Sequence, residues 1–498
     1  MTENDPSRII SANEAGLTLG KKVLQGSILQ FFSRFLFRGI KFIRTLVIAQ
    51  LLFPGDVGLF ALSNLCLGFI DTFVQSGFQG ALVQRSEVTK NHLDGSWSVH
   101  VIKGVFLAGV YFLSAPIMAD FFNEPRLEDV IRVMSLIMVF DGFASMGTVM
   151  LQRNLQFGRK LVYDLSYTIV EVVTVICVAF FIPNVWALVA GALASHFAIL
   201  VFSYVVHPYR PHFTFDFSGA RELFRFGKWM WLGAIVTFFV SRGDGLVVSK
   251  FISTEALGYY QFALSLALLP ALEVVRSAGS VFFPMFSRLK DSPDRFIEIF
   301  MKTTRIIVLL VAPMSVGLYV LDEQIVNLLY GERWLPMVPV LEILILYGIF
   351  KSVEYLLTPI LHGAGHPKIT TVSMIIQGIV LACTIVPLTK LNGIEGVASS
   401  LLFSVIVSSL FLGLTFMKSF KIRMVTLYSV LVVPVIATAG LYIASISYML
   451  AFSVKTMPGL VCITVYGVIV YAGLVFLCDR ITGKYVYESI SWMSKNVR

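Results

Sequence analysis

Residues 26–52, GSILQFFSRFLFRGIKFIRTLVIAQLL, are long and apolar enough to cross a membrane, yet they carry Arg34, Arg38, Lys41 and Arg44. The spacings of four, three and three confine all four cations to roughly 120° of arc when successive residues turn by about 100°. One face of the predicted helix is therefore basic, and the rest is Phe, Leu and Ile. A fixed positive charge at the centre of a bilayer costs at least about 2.5 kcal/mol on the mildest scale. A lone helix with this stripe would insert poorly. The stripe demands neighbouring helices, and it demands either acids or a wet, anion-holding cavity opposite it.

The rest of the chain supplies such neighbours. Of its 498 residues 57% are hydrophobic and only 14% charged, where soluble domains average about 25% charged. Apolar stretches near the length of a bilayer crossing fall at 26–50, 57–82, 98–119, 129–150, 162–182 and 185–206. A second set falls at 229–250, 256–279, 303–321, 337–360, 369–388 and 395–417, and two more at 425–447 and 457–478. The expectation is an all-α polytopic membrane protein of about fourteen spans. With the N-terminus inside, the non-cytoplasmic loops hold only Arg126, Arg333, Lys390 and Lys455, while the other basic loop residues fall on the cytoplasmic side. That asymmetry is the positive-inside pattern, and it places both termini in the cytoplasm. It also accounts for the net charge of +9 without nucleic acid as a partner. The polar start, MTENDPSRIISANEAG, lacks the apolar core of a cleavable signal and reads as a tail. Five single cysteines (Cys66, Cys177, Cys383, Cys462, Cys478) in apolar surroundings read as packing residues.

The chain repeats itself. LVIAQLLFPGDVGLFALS (46–63) is similar to LVVSKFISTEALGYYQFALS (246–265), with Gly58 and Gly258 in register. FFNEPR (121–126) is similar to LLYGERW (328–334), and TVMLQR (148–153) falls where TPILHG (358–363) does. The expected organisation is a tail (1–22), a six-helix bundle (23–206), an amphipathic linker (207–228), a second six-helix bundle (229–417), two additional spans (424–480) and a C-terminal tail (481–498). An even number of helices per copy keeps both copies in the same orientation, with a substrate site expected between them. In the linker, Pro208 and Pro211 end the preceding helix. Arg221, Arg225 and Lys228 suit a helix lying on anionic lipid. Asp291, Ser292 and Pro293 read as a turn that opens the ninth span.

Further charges fall inside the predicted spans: Asp71, Glu171, Arg242, Asp244, Glu273, Arg276, Lys351 and Glu354. Glu273/Arg276 and Lys351/Glu354 are spaced to neutralise themselves on one helix face. Lys103 and Arg132 lie near span ends and are expected to snorkel. Asp71 is placed to neutralise a stripe cation or to bind a coupling ion. His100 and His196 read as packed histidines. Counting Asp71, Asp244 and Glu273 against the cations of the first, second, seventh and eighth spans leaves a positive excess. Uncompensated guanidinium groups in a cavity suit a multiply charged anion such as a phosphate. No P-loop, catalytic triad or metal-ligand cluster is visible, so neither a cofactor nor a metal is expected, and an enzyme is not.

Five motifs in order, PGDVGLFAL…GFQGALVQR (54–85), LQRNLQFGRK (151–160), FDF…LFRFG (215–227), FPMFSRL (283–289) and YGERWLPMVPVL (330–341), carry a resemblance. The chain resembles the polysaccharide transporter branch of the multidrug/oligosaccharidyl-lipid/polysaccharide superfamily, and within it the Wzx-type flippases of colanic-acid and teichuronic-acid export. The resemblance implies two six-helix bundles that alternate in access across a bacterial inner membrane. It implies an undecaprenyl-diphosphate-linked oligosaccharide as substrate, membrane lipids as surroundings, and a polysaccharide polymerase and chain-length regulator as partners. By position, Arg34, Arg38, Lys41, Arg44 and Arg242 would face the substrate, and Asp71, Asp244 and Glu273 would be carboxylates coupling transport to an ion gradient. A lipid II flippase shares these features. A cation-drug antiporter would need an acidic cavity, and a membrane glycosyltransferase would need a large acidic loop.

Overall fold

The computed structural model describes residues 36–74, 89–154, 156–214, 237–276, 282, 285–289, 292–452 and 454–482. The described residues are helical with no strands, as the apolar periodicity requires of a chain in lipid, where each backbone polar group must be satisfied within its own segment. They divide into two compact units, Met1–Phe238 and Phe239–Arg498. Eight of the described helices are long and apolar enough to span a bilayer.

The first unit holds α1 (36–51), α2 (Pro54–Val74), α3 (Lys90–Phe122), α4 (Arg126–Phe143), α5 (Gly147–Arg153), α6 (Phe157–Phe181) and α7 (Val185–Val206). Glycines set the closest approaches. A Cβ on Gly104 of α3 would lie 2.6 Å from the Met138 carbonyl oxygen and 2.8 Å from the Gly142 Cα of α4. Small residues thus let the two backbones touch, as membrane helices do when apolar burial offers no driving force between them. The Tyr111 hydroxyl donates to the Ser63 carbonyl (2.7 Å) and ties α3 to α2. The outward faces are apolar: Phe106, Leu113 and Ile117 of α3 are 62%, 74% and 71% exposed. In water that surface would be a liability; in acyl chains it is the solvated face.

Helix α7 ends at Val206, before Pro208 and Pro211, as the prolines predict. Residues 207–214 then run without helix along α3. The Tyr209 hydroxyl and the His212 amide (3.1 Å) both donate to Asp94 Oδ1, and the Thr214 amide donates to the Ser98 hydroxyl (2.9 Å). The amphipathic part of the linker, with Arg221, Arg225 and Lys228, lies outside the described residues.

The second unit holds α8 (237–251), α9 (Thr254–Ala267) followed by a π-helical turn (Ala271–Arg276), and α10 (Pro293–Val320). After α11 (Val338–Gly363), Pro367–Ser419 forms two helices, α12 and α13, that meet at Asn392–Gly393; α14 (Met424–Ala451) and α15 (Met457–Thr482) follow. The two similar segments, 46–63 and 246–265, break their helices at corresponding places. Helix α1 ends at 51 and α2 begins at Pro54; α8 ends at 251 and α9 begins at Thr254. The Ser253 hydroxyl caps α9 by accepting from the Ala256 amide (3.0 Å). In the FFNEPR and LLYGERW segments Asn123 and Gly331 both have positive φ, 55° and 97°, which Asn and Gly tolerate, but ψ is 38° at Asn123 and 162° at Gly331, so the two turns differ. Pro293 opens α10 at its first turn. A stacked aromatic cluster of Phe286, Phe296, Phe416 and Phe420 joins the start of α10 to the end of α13. Of the cysteines, Cys66 is buried, while Cys177, Cys383 and Cys462 are exposed. Packing explains the first of these and not the other three.

Asp322 sits in the loop between α10 and α11, outside the spans, and is 7% exposed. Its Oδ1 accepts from the Glu323 amide (2.6 Å), and its Oδ2 is buried with no hydrogen-bond partner. Burial first, and then the Glu342 and Glu323 carboxylates, push its pKa up to about 6 against the pull of the Glu323 amide. The unfolded value is lower, so the ionised form costs stability above pH 6, and the cost disappears as pH falls toward 4. Asp322→Asn is expected to raise the thermal midpoint at pH 7.5 and to leave it nearly unchanged at pH 4.5, as a detergent-solution melt measures.

Candidate functional site

The basic stripe is only partly free to meet a ligand. Arg34 lies outside the described residues. Lys41 is exposed on α1, and its charged neighbours are Arg38 and Arg44. Arg38, one turn away, is half-buried. Arg44 is different: its guanidinium forms an ion pair with Glu171 of α6, and both side chains are largely buried. Its Nε is buried without a hydrogen-bond partner. The acid count made from sequence omitted Glu171, which removes one cation from the excess.

Asp71 takes its cation from an unexpected place. Lys103 Nζ of α3 lies 2.9 Å from Asp71 Oδ1, and the lysine side chain is 14% exposed. Lys103 therefore does not snorkel. Its stem points into the unit because the Gly104–Gly142 contact draws α3 against α4 and leaves α2 within reach.

In the second unit, Arg242 is exposed and Asp244 is buried. Residues two positions apart on a helix lie about 200° apart around the axis, so Arg242 and Asp244 occupy opposite faces. Asp244 Oδ2 accepts from the Tyr260 hydroxyl of α9 (2.5 Å). The side chains of Glu273 and Arg276 lie outside the described residues. Lys351 Nζ meets Glu354 Oε2 at 2.5 Å, and Gln377 Oε1 of α12 at 3.3 Å, while the Ser408 hydroxyl of α13 donates to Glu354 Oε1. The i, i+3 pair does neutralise itself, and its leftover hydrogen-bonding capacity is used to join three helices.

One part-buried polar pair escaped sequence reasoning. His196 Nδ1 of α7 lies 2.6 Å from Asp141 Oδ1 of α4. His196 is not simply packed, and Asp141 was absent from the set of intramembrane acids. Both fall inside predicted spans, so a complete census of ionisable residues in apolar windows would have exposed them. Their pairing required the crossing of α4 and α7, which the T-shaped Phe140–Phe197 contact (5.6 Å) holds beside them.

Comparison with known proteins follows the same lines. A family model described as "Polysaccharide biosynthesis protein" matches residues 47–339. The chain is 25% identical to teichuronic acid biosynthesis protein TuaB of Bacillus subtilis over 57% of its length, and spans 59% of that protein. It is 24% identical to lipopolysaccharide biosynthesis protein WzxC of Escherichia coli over 68% of its length, covering 69% of WzxC. Among solved structures, a lipid II flippase MurJ in an inward closed conformation shares the fold with a TM-score of 0.70 at 15% identity, over 92% of this chain and 99% of that one. An inward-facing MATE family multidrug transporter shares it with a TM-score of 0.58 at 13% identity, over 77% and 96%.

Proposed function

Because this chain belongs to the polysaccharide biosynthesis protein family, we propose that it is a flippase that carries a polyprenyl-diphosphate-linked oligosaccharide from the cytoplasmic to the outer leaflet of a bacterial inner membrane. The observation that carries the reading is the exposed charge on otherwise apolar helices. Lys41 on α1 and Arg242 on α8, the corresponding helix of the second repeat, are exposed positive side chains, unlike Arg44, which is largely buried against Glu171. Exposed cations within a span are costly, and a diphosphate offsets that cost with charge-assisted hydrogen bonds. Asp71 and Asp244 remain candidates for ion coupling, with Asp244 the better shielded. Both termini are cytoplasmic on this reading. A polymerase and a chain-length regulator would take the delivered unit, and the protein itself makes or breaks no covalent bond.

A second reading, a lipid II flippase, draws on the shared MurJ fold. It keeps the diphosphate and the lipid tail and changes only the glycan. The test is reconstitution of the full chain in vesicles with fluorescent lipid-linked oligosaccharide on one leaflet, with the other leaflet probed by a membrane-impermeant reagent. Exchange across the bilayer well above that of empty vesicles is expected, faster for a polysaccharide repeat unit than for lipid II. Equal rates for protein-containing and empty vesicles would sink the proposal, and a preference for lipid II would replace it with the second reading.

A further inference from the structure

The second unit holds a cavity of about 440 Å³, within the roughly 300–1,000 Å³ usual for ligand sites. It lies between α10, α11, α13 and α14, and its lining includes no residue of α15. Its α10 wall runs from Phe300 to Val316, roughly 24 Å at about 1.5 Å per residue, so the space is long and narrow. Gly413 of α13 lines it, and a Cβ there would meet no atom within 4 Å. Val435 of α14 also lines it and is 59% exposed, so the space opens toward the lipid around the unit. Unfilled apolar walls forfeit their dispersion contacts, and an apolar void stays dry and takes up apolar molecules.

One end of the cavity is marked by charge. Met417, near the end of α13, and Ile422, just before α14, both line it. The Ile422 amide donates to the Met417 carbonyl (2.9 Å), and Lys421 between them has a φ of 53°. This is the tight return that closes many helices. It fixes Lys418, Lys421 and Arg423 beside that end of the cavity, and all three are exposed. The sequence has no carboxylate between Glu395 and Asp479 to offset them locally. At the same end the Phe300 and Phe416 rings meet at 4.7 Å. One turn further in on α10, Thr304 lines the cavity, is 6% exposed, and its hydroxyl has no hydrogen-bond partner. Cations, then a lone hydroxyl, then a run of hydrocarbon match the order of groups in a phospholipid: phosphate, ester carbonyl, acyl chain.

We infer that this cavity is a binding site for a bilayer phospholipid with an anionic headgroup. One acyl chain fills the space between α10, α11, α13 and α14. The phosphate rests on Lys418, Lys421 and Arg423, and an ester carbonyl accepts from the Thr304 hydroxyl. Basic groups at the membrane ends of helices select anionic headgroups, and guanidinium suits phosphate oxygens geometrically. A lipid held this way joins α10 to α13 and α14, and its occupancy stabilises the second unit by mass action. The binding does not rest on the flippase reading, which only assigns the lipid to the cytoplasmic leaflet. The site is also separate from the cations placed in the substrate path: Lys41 and Arg242 stand on α1 and α8, and neither helix lines this cavity.

The test uses phosphatidylglycerol carrying a photoreactive group at mid-chain, mixed into phosphatidylcholine vesicles that hold the full chain; the labelled peptides are then mapped. Label is expected on α10, α13 and α14, and unlabelled phosphatidylglycerol is expected to compete about tenfold better than phosphatidylcholine, the worth of one charged contact. Gly413→Phe fills the space and is expected to lose the label; Ala312→Phe, which enters from the α10 wall, takes its place if the first variant fails to fold. Added phosphatidylglycerol should raise the thermal midpoint of the intact chain in detergent and leave that of the filled variant unchanged. Replacing Lys418, Lys421 and Arg423 with Ser should keep the label and remove the preference between headgroups; an unchanged preference overturns the headgroup assignment. Label spread evenly over outward faces such as Leu113 and Ile117 of α3, and unaffected by the filling variants, marks ordinary lipid contact and overturns the proposal. Stronger competition by a polyprenyl phosphate than by phosphatidylglycerol also overturns it, and gives the cavity to the isoprenoid tail of a transported lipid. Labelling as expected in a protein that flips nothing refutes the flippase reading and leaves this site standing.

Discussion

Lys41→Ala combined with Arg242→Ala is expected to abolish export of the lipid-linked glycan while leaving the protein in the membrane at normal abundance. Each lost charge-assisted contact to a phosphate is worth about 1.5–3 kcal/mol, so the double change should lower the flipping rate about a hundredfold or more. Both residues are exposed, and the buried Asp244 near Arg242 keeps its hydrogen bond from the Tyr260 hydroxyl. Lys41→Arg should retain most activity, because guanidinium serves phosphate at least as well as ammonium. Arg44→Ala is the contrasting case. It strands Glu171 in a poorly exposed position, so it should lower abundance and thermal stability before it lowers flipping per folded molecule. Normal export in the Lys41/Arg242 double variant, measured as polymer at the cell surface and as flipping in vesicles, would remove these residues from the substrate path.

The second large effect is one of stability. Glu354→Leu is expected to destabilise the second unit by about 3–5 kcal/mol, the cost of leaving one partner of a buried ion pair uncompensated. Lys351 is 17% exposed at the side chain, with only the Gln377 carbonyl oxygen left to accept from it. Lys351→Met in the same chain should recover most of the loss, because an apolar pair of similar volume has no charge to desolvate. Thermal melts of the two single variants and the double variant form a cycle that isolates the pair. If the double variant melts no higher than Glu354→Leu, then the hydroxyl of Ser408 and the amide of Gln377, and not the charge, are what the site depends on.

The two predictions differ in how far each was legible. The i, i+3 spacing of Lys351 and Glu354 is a local property of one helix, and the pair forms as that spacing implies. The clustering of Arg38, Lys41 and Arg44 on one face is equally local. Which of them keeps its charge available was not: Arg44 is taken by Glu171, far away in sequence. Lys103 was misjudged for the same reason, since its position near a span end says nothing of an aspartate on another helix. Asp141 and His196, 55 residues apart, form a pair only because α4 and α7 cross there.

The sequence by itself determined that the chain lives in a membrane, that it is helical, and where α7 stops and α10 starts. These follow from apolar length, proline, and periodicity, which act within a few turns of one chain segment. Only the tertiary structure decided which cation of the basic stripe is spent on a buried acid, which lysine neutralises Asp71, and which carboxylate is left to a histidine. Charge pairing acts through space over a few ångströms, and no spacing along the chain encodes which helices bring their charges together.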